Sequence, residues 1–165
     1  MNQSVCFTGH RILSENPKKL FDRLYPVLKK LVEEKGVTDF YAGGAVGFDT
    51  IAAKCVLRLR DNDHLPVHLH LVLPCSNAEQ TKNWTADQKY EFRVILQRAD
   101  SVEYTSEHHD DTCMGRRNRR LVELANAVCV CYYDIHHKSG TAQTVHLAQE
   151  KGLEIINLFE PGKGK

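Results

Sequence analysis

The sequence predicts an α/β fold in which a mostly parallel sheet of about six strands lies between two layers of helices. Short apolar segments typical of strands alternate with amphipathic helical segments along the chain, which favours parallel strands joined by crossover helices. The 165 residues, 42% of them hydrophobic, are enough for the core of one domain. No linker or internal repeat divides them, so we predict a single domain over residues 1–160 and a flexible tail at 161–165.

The first predicted strand covers residues 4–8. Asn16 and Pro17 then have the pattern of an N-cap followed by proline at the first helical position, and Gly36 is placed to end that helix. Pro26 lies inside the helical pattern, so we predict that it kinks or splits the helix.

A second predicted strand, residues 38–42, leads through a glycine-rich turn into a helix over residues 47–60. Residues 67–73 form the third predicted strand. Thr85 and Gln88 are spaced as the capping box of the next helix.

The remaining elements alternate in the same way. We predict a strand over residues 101–104, a helix over 114–125, a strand over 128–133, a helix over 139–152 and a strand over 154–158.

Composition argues against several classes of protein. With 22 basic and 21 acidic residues the formal net charge is +1, so no excess charge attracts nucleic acid or a membrane surface. No apolar run is long enough to cross a bilayer, and no secretory leader opens the sequence. The six cysteines are scattered without a Cys-x-x-Cys pair, so we expect free core thiols, no metal site and a cytoplasmic location.

Polar or glycine-rich turns occur at the carboxyl ends of four predicted strands. Because the carboxyl ends of parallel strands share one edge of a sheet, we expect these turns to meet at one rim, where α/β proteins bind ligands. The turns are residues 8–11, 43–47, 74–76 and 139–144.

The residue types at this rim predict a site for a phosphate joined to a sugar or a base. Glycine-rich turns and helix N-termini offer backbone N–H groups to phosphate oxygens, arginine can pair with phosphate, and hydroxyl groups add further donors. The predicted ligand-binding residues are Thr8, Gly9, His10, Arg11, Gly43, Gly44, Ala45, Gly47, Asp49, Arg117, Asn118, Ser139, Gly140, Thr141 and Thr144.

For two of these residues the sequence leaves more than one role open. His10 donates to a phosphate, relays a proton, or makes backbone hydrogen bonds within its turn. Asp49 complements the dipole of its helix or holds a ribose hydroxyl.

Other motifs bear on competing functions. The sequence contains neither the G-x-G-x-x-G fingerprint nor the G-x-x-x-x-G-K-[ST] loop, which disfavours a hydride-transfer enzyme and a nucleoside triphosphatase. Residues 116–120 carry four arginines on one predicted helix, so at least two should be solvated, although Arg117 and Asn118 can reach the rim. This cluster lacks interleaved aromatics, which argues against nucleic-acid binding.

Four motifs in order along the chain resemble the YpsA-like branch of the SLOG superfamily. They are CFTGHR at residues 6–11, AGGAVGFD at 42–49 followed by AA at 52–53, RN at 117–118, and SGTAQTV at 139–145. The resemblance implies a Rossmann-like domain that binds a nucleotide or nucleotide-derived ligand, often as a sensor in bacterial or mobile-element systems. It implies no required cofactor and is compatible with a homodimer.

The same superfamily includes the LOG cytokinin-activating phosphoribohydrolases, whose P-G-G-x-G-T-x-x-E motif ends in a glutamate that supports cleavage of an N-glycosidic bond. Here Thr144 stands at the position of that glutamate, in a run that begins at Lys138. Threonine carries no charge with which to stabilise an oxocarbenium ion or activate water. The sequence therefore favours a binding domain over an enzyme.

Two alternatives stay open. One is a nucleotide N-glycoside hydrolase or transferase in which His10, Asp49 or Glu91 supplies the chemistry. The other is a nucleic-acid-binding protein similar to DprA, another member of the superfamily, with an affinity that falls steeply with salt.

Overall fold

Within the residues that the structure describes, six parallel strands form one sheet with helices on both faces. The computed structural model describes residues 2–137 and 139–161. The strands are β1 (Gln3–Gly9), β2 (Val37–Ala42), β3 (His68–Leu73), β4 (Ser101–Tyr104), β5 (Val128–Tyr132) and β6 (Glu154–Asn157). The helices are α1 (Pro17–Lys35), α2 (Phe48–Asp61), α3 (Asn77–Gln80), α4 (Ala86–Arg98), α5 (Cys113–Leu124) and α6 (Gly140–Lys151). The predicted α/β class and parallel sheet are confirmed.

The strands lie in the order β4-β3-β2-β1-β5-β6, and neighbouring strands are parallel. The chain therefore runs outward from β1 to β4, returns to the other side of β1, and adds β5 and β6. Strand order reverses between β1 and β5, where Gly9 is paired with Tyr132. In open α/β sheets a crevice forms beyond the carboxyl ends of the strands at such a switch point.

Two apolar clusters hold the helices against the sheet. On one face, buried residues of α1 and α2 such as Leu24 and Phe48 pack against the strands. On the other face, Leu121 of α5 packs with Cys129 and Cys131, which lie on the same side of β5. All six cysteines are buried and free, as expected of core thiols.

Pro26 does not split α1, which continues through it. The carbonyl that Pro26 leaves without an N–H donor belongs to Asp22, and both residues are exposed, so solvent can satisfy that carbonyl. The predicted ends of the helix are present. Asn16 accepts a hydrogen bond from Lys18 N at 2.8 Å, and Gly36 ends the helix with a φ of 68°.

The other predicted elements are found close to their predicted positions, except that α3 was not predicted. This single turn depends on a local cap, in which Ser76 Oγ accepts a hydrogen bond from Glu79 N at 3.4 Å, and so carries no helical periodicity. Of the predicted tail, residues 162–165 lie outside the described residues. None of the helices in the described ranges combines the length and apolar character that a membrane crossing requires.

Candidate functional site

A cavity of about 360 Å³ lies at the switch point of the sheet, and we call it the switch-point cavity. It is lined by residues of the turn after β1, the first turns of α2 and α6, and one face of α5. The predicted site residues among its lining are Thr8, Gly9, His10, Arg11, Ala45, Asp49, Arg117, Asn118, Ser139, Gly140 and Thr141. The structure therefore brings three of the four predicted turns together.

Three predicted glycines shape this region without lining the cavity. Gly44 and Gly47 have φ values of 73° and 78°, which few residues other than glycine adopt. A Cβ atom on Gly43 would lie 2.5 Å from the Arg117 guanidinium and 3.0 Å from the Asp49 carboxyl. The absence of a side chain at Gly43 thus lets these two charged groups approach the same point.

Two further predicted residues lie away from the cavity. Thr144 is fully buried, and its hydroxyl donates to the carbonyl oxygen of Gly140 at 3.4 Å, within its own helix. Glu91 forms an ion pair with Lys54, which connects α4 to α2. The other two candidates for a catalytic role, His10 and Asp49, do lie at the cavity.

The cavity is lined by a buried guanidinium. Arg117 is 6% exposed; its Nε donates to Asn118 Oδ1 at 2.9 Å, and its Nη1 donates to the carbonyl oxygen of Gly43. Both acceptors are neutral oxygens, and no carboxylate of the described residues lies within 4.0 Å of the guanidinium. Burial lowers the pKa of Arg117, although the charge of nearby Asp49 opposes that shift. The cation is hydrogen-bonded, but its charge is not neutralised by a direct partner.

A buried carboxyl group lies on the same wall. Asp49 Oδ2 accepts a hydrogen bond from Ala45 N at 3.2 Å, while Oδ1 is buried without a partner among the described residues. Burial raises the pKa of Asp49, and the charge of Arg117 and the bond from Ala45 oppose this shift. A buried oxygen that lacks a donor costs about 1–3 kcal/mol. A hydroxyl or N–H group of a ligand is a chemically suitable partner for it.

His10 connects the turn after β1 to the segment after β5. The backbone N–H of Asp134 donates to His10 Nε2 at 2.8 Å, so a neutral ring carries its proton on Nδ1. That Nδ1–H donates to Ser139 Oγ at 2.9 Å, and the same oxygen accepts from Thr141 N at 3.3 Å. Ser139 therefore receives two hydrogen bonds and keeps its own hydroxyl proton available for a ligand. Both nitrogens of His10 are engaged within the protein.

This arrangement predicts that stability falls in mild acid. Burial lowers the pKa of His10 below its ordinary value of 6.5, and the nearby His137 adds to that effect. The folded state thus favours the neutral ring, which adds to the free energy of unfolding. This contribution to stability is complete above about pH 6.5 and is lost as the pH falls through the lower folded-state pKa. Urea denaturation between about pH 8 and pH 5 measures the loss.

A matched pair of variants isolates the contribution of His10. In His10→Gln this part of the pH dependence should disappear, whereas His146→Gln, which changes an exposed histidine of α6, should retain it. A wild-type pH profile in His10→Gln would contradict the assignment.

Two helix N-termini and an exposed arginine add to the positive potential of the cavity. The first turn of α2 has no side-chain cap, and α6 begins at Gly140 behind the cap residue Ser139. Helix N-termini carry a partial positive charge and unpaired N–H groups. Arg11 is exposed at the cavity and, among the described residues, its guanidinium has no hydrogen bond or ion pair. All three features favour an anion.

Several residues that line the cavity were not predicted from the sequence. Met114 and Leu121 line the cavity at the helical spacing of Arg117, so the periodicity of α5 could have indicated them. His137, whose ring lies 4.6 Å from that of His10, and the exposed Ile12 follow from no sequence pattern. They lie at the cavity because the segments that carry them leave neighbouring strands.

Comparisons with known proteins found a family model and a relative that match most of the chain. A family model described as the YspA SLOG family matches residues 15–156. The chain is 29% identical over 147 residues to the uncharacterized SPbeta prophage-derived protein YoqJ of Bacillus subtilis (strain 168), an alignment that covers 82% of this chain and 83% of that relative. The range matched by the family model includes the turns at residues 43–47 and 139–144.

Proposed function

Since the chain belongs to the YspA SLOG family, we propose that it binds a nucleotide, or a phosphate-bearing molecule derived from one, in the switch-point cavity. The proposal is a binding function of the sensor type. It combines the resemblance of the sequence to nucleotide-binding SLOG proteins with the charges and donors that line the cavity.

The observation that carries this proposal is the buried guanidinium of Arg117. Removing a charge from water is unfavourable unless an opposite charge compensates for it. Among the described residues Arg117 donates only to neutral oxygens, and the nearby Asp49 carboxyl forms no direct ion pair with it. A phosphate group entering the cavity would supply the missing negative charge.

The remaining residues provide complementary contacts. Arg11 is placed to pair with a phosphate from the solvent side, and the backbone N–H of Gly140 at the start of α6 suits one of its oxygens. The hydroxyl proton of Ser139 is a further donor. Asp49 Oδ1, which lacks a partner among the described residues, suits a ribose hydroxyl.

Binding of phosphate-bearing ligands is tested by calorimetry with the four ribonucleoside 5′-monophosphates and the four matching nucleosides. We expect at least one monophosphate to bind about 100-fold more tightly than its nucleoside, because charge-assisted hydrogen bonds to the phosphate are lost in the nucleoside. Mass spectrometry of small molecules released from the purified protein should find a phosphate-bearing nucleotide.

Equal affinity for nucleotides and nucleosides would contradict the proposal. The same mixtures, analysed by chromatography for free base, distinguish binding from hydrolysis. Release of a base would indicate the N-glycoside hydrolase instead. We expect no release, because Thr144, which stands at the position of the LOG glutamate, lies outside the cavity lining.

A further inference from the structure

A second cavity, of about 380 Å³, adjoins the switch-point cavity, and we call it the Trp84 cavity. Arg11 and Met114 line both cavities. The Trp84 cavity also contains Cys75 of the fourth predicted turn, which does not reach the switch-point cavity. The two cavities therefore meet at Arg11 and Met114.

The aromatic wall of this second cavity is Trp84, the only tryptophan of the chain. Its ring is half-buried and packs edge-on against Phe92, with centroids 5.4 Å apart and planes at 84°. An indole held in place in this way is a suitable surface for stacking a flat heterocycle, and bases of every kind stack on aromatic side chains.

The polar wall of this cavity is rich in carboxamides, and one of them is incompletely hydrogen-bonded. Gln80 Nε2 donates to the carbonyl oxygen of Gly44 at 3.3 Å, which fixes the orientation of the amide. Gln80 Oε1 is buried and has no partner among the described residues. The side chains of Asn83 and Gln88 line the same space. Carboxamides are the side chains that pair in two-point fashion with the edge of a nucleobase.

We propose that the Trp84 cavity holds the base of a nucleotide whose phosphate occupies the switch-point cavity. The indole of Trp84 contacts the face of the base, and Gln80 Oε1 accepts a hydrogen bond from an N–H group on its edge. Arg11, which lines both cavities, lies between the base and the phosphate. This inference rests on the proposed function and adds to it that the base contributes to affinity.

Gln80 also connects the two parts of the site. Its bond to Gly44 joins the short helix α3 to the glycine-rich turn before α2, whose first turn lines the switch-point cavity. A Cβ atom on Gly44 would lie 3.5 Å from Phe92 and 3.8 Å from Gln80 Nε2, so the turn, the amide and the aromatic pair form one packed unit. The base and the phosphate would thus contact adjoining parts of the same structure.

The experiment compares AMP, GMP, CMP and UMP with ribose 5-phosphate, which has the same phosphate and sugar but no base. Calorimetry gives affinities, and the fluorescence of the only tryptophan reports directly on its cavity. We expect the tightest nucleotide to bind at least about tenfold more tightly than ribose 5-phosphate and to change Trp84 emission, whereas ribose 5-phosphate leaves the emission unchanged.

A variant pair tests the polar contact. Gln80→Met removes the amide at similar size and should weaken binding of that nucleotide about tenfold more than it weakens binding of ribose 5-phosphate. Lys82→Met, an exposed position outside the cavity, is the control and should bind both probes as the wild type does.

The outcomes separate this inference from the proposed function. Equal affinity for nucleotides and ribose 5-phosphate, with no change in Trp84 emission, would overturn the base site and leave phosphate binding intact. Failure of every probe to bind would overturn both. Because the comparison of probes uses the wild-type protein, it decides the question even where Gln80→Met does not fold.

Discussion

Gly47→Ala is expected to destabilise the protein by about 3 kcal/mol or more, because backbone strain and a steric clash add at this position. Gly47 has φ 78° and ψ −126°, a conformation essentially restricted to glycine. A Cβ atom there would also clash with the carbonyl oxygen of Arg11 and lie 2.6 Å from that of His10. Both contacts are with backbone atoms, which cannot move aside as a flexible side chain can.

The clash would also disturb the connection between β1 and α2. Phe48 N donates to the carbonyl oxygen of His10 at 3.2 Å, so the start of α2 is hydrogen-bonded to the turn after β1. Pushing the two apart would separate two walls of the switch-point cavity. We expect Gly47→Ala to lose ligand binding together with stability.

Gly36→Ala is the matched control for this substitution. Gly36 also has a positive φ, 68°, but a Cβ atom there would meet nothing within 4 Å. Only the strain of the left-handed conformation remains, about 1 kcal/mol. Urea denaturation of the two variants and the wild type measures the difference, and an equal loss in both would show that the clash at Gly47 contributes nothing.

Arg117→Met is expected to weaken nucleotide binding about 100-fold while changing stability little. Hydrogen bonds to charged groups contribute about 1.5–3 kcal/mol, and each 1.4 kcal/mol is a factor of ten in affinity. Replacing a buried charge by an apolar side chain of similar length removes its desolvation cost, which offsets the donors lost to the Gly43 carbonyl and to Asn118 Oδ1. Calorimetry with the tightest monophosphate measures the affinity, and urea denaturation the stability.

Two further variants show whether the buried position of Arg117 matters. Arg119→Met removes an exposed guanidinium from the same helix and should leave binding within about twofold of the wild type, because an exposed charge is screened by solvent. Arg117→Lys keeps the charge but cannot reproduce a planar fork that reaches both Asn118 and Gly43, so we expect an intermediate affinity. Wild-type affinity in a folded Arg117→Met protein would exclude the guanidinium from the site.

Which arginine of the cluster enters the site was only partly predictable. Helical spacing shows that four guanidiniums cannot all face the sheet, and Arg116 and Arg119 are indeed exposed. Arg120 instead pairs with Glu103 of β4, with 2.6 Å between its Nε and Oε2. Arg117 is the buried member because its side of α5 faces the turn after β2, and that depends on strand order.

The candidates for a catalytic role show the same limit. His10, Asp49 and Glu91 were named together as the residues that would supply the chemistry of an N-glycoside hydrolase, and only His10 and Asp49 were also predicted to bind the ligand. In the part of the chain that the structure describes, both nitrogens of His10 have partners, one oxygen of Asp49 has none, and Glu91 pairs with Lys54. Hydrogen-bond partners distant in the sequence made that distinction.

The sequence by itself determined the elements of this protein and the turns that could bind a ligand. Strand and helix periodicity, the caps at Asn16 and Thr85, and the glycines that need positive φ are local properties of the backbone, so a single sequence reveals them. The tertiary structure decided which turns meet and which side chains are buried there. The hydrogen bond from Arg117 to Gly43 spans 74 residues, and that from His10 to Ser139 spans 129. Such contacts exist only because β5 is placed beside β1, and strand order is set by the packing of the whole domain and not by any one segment.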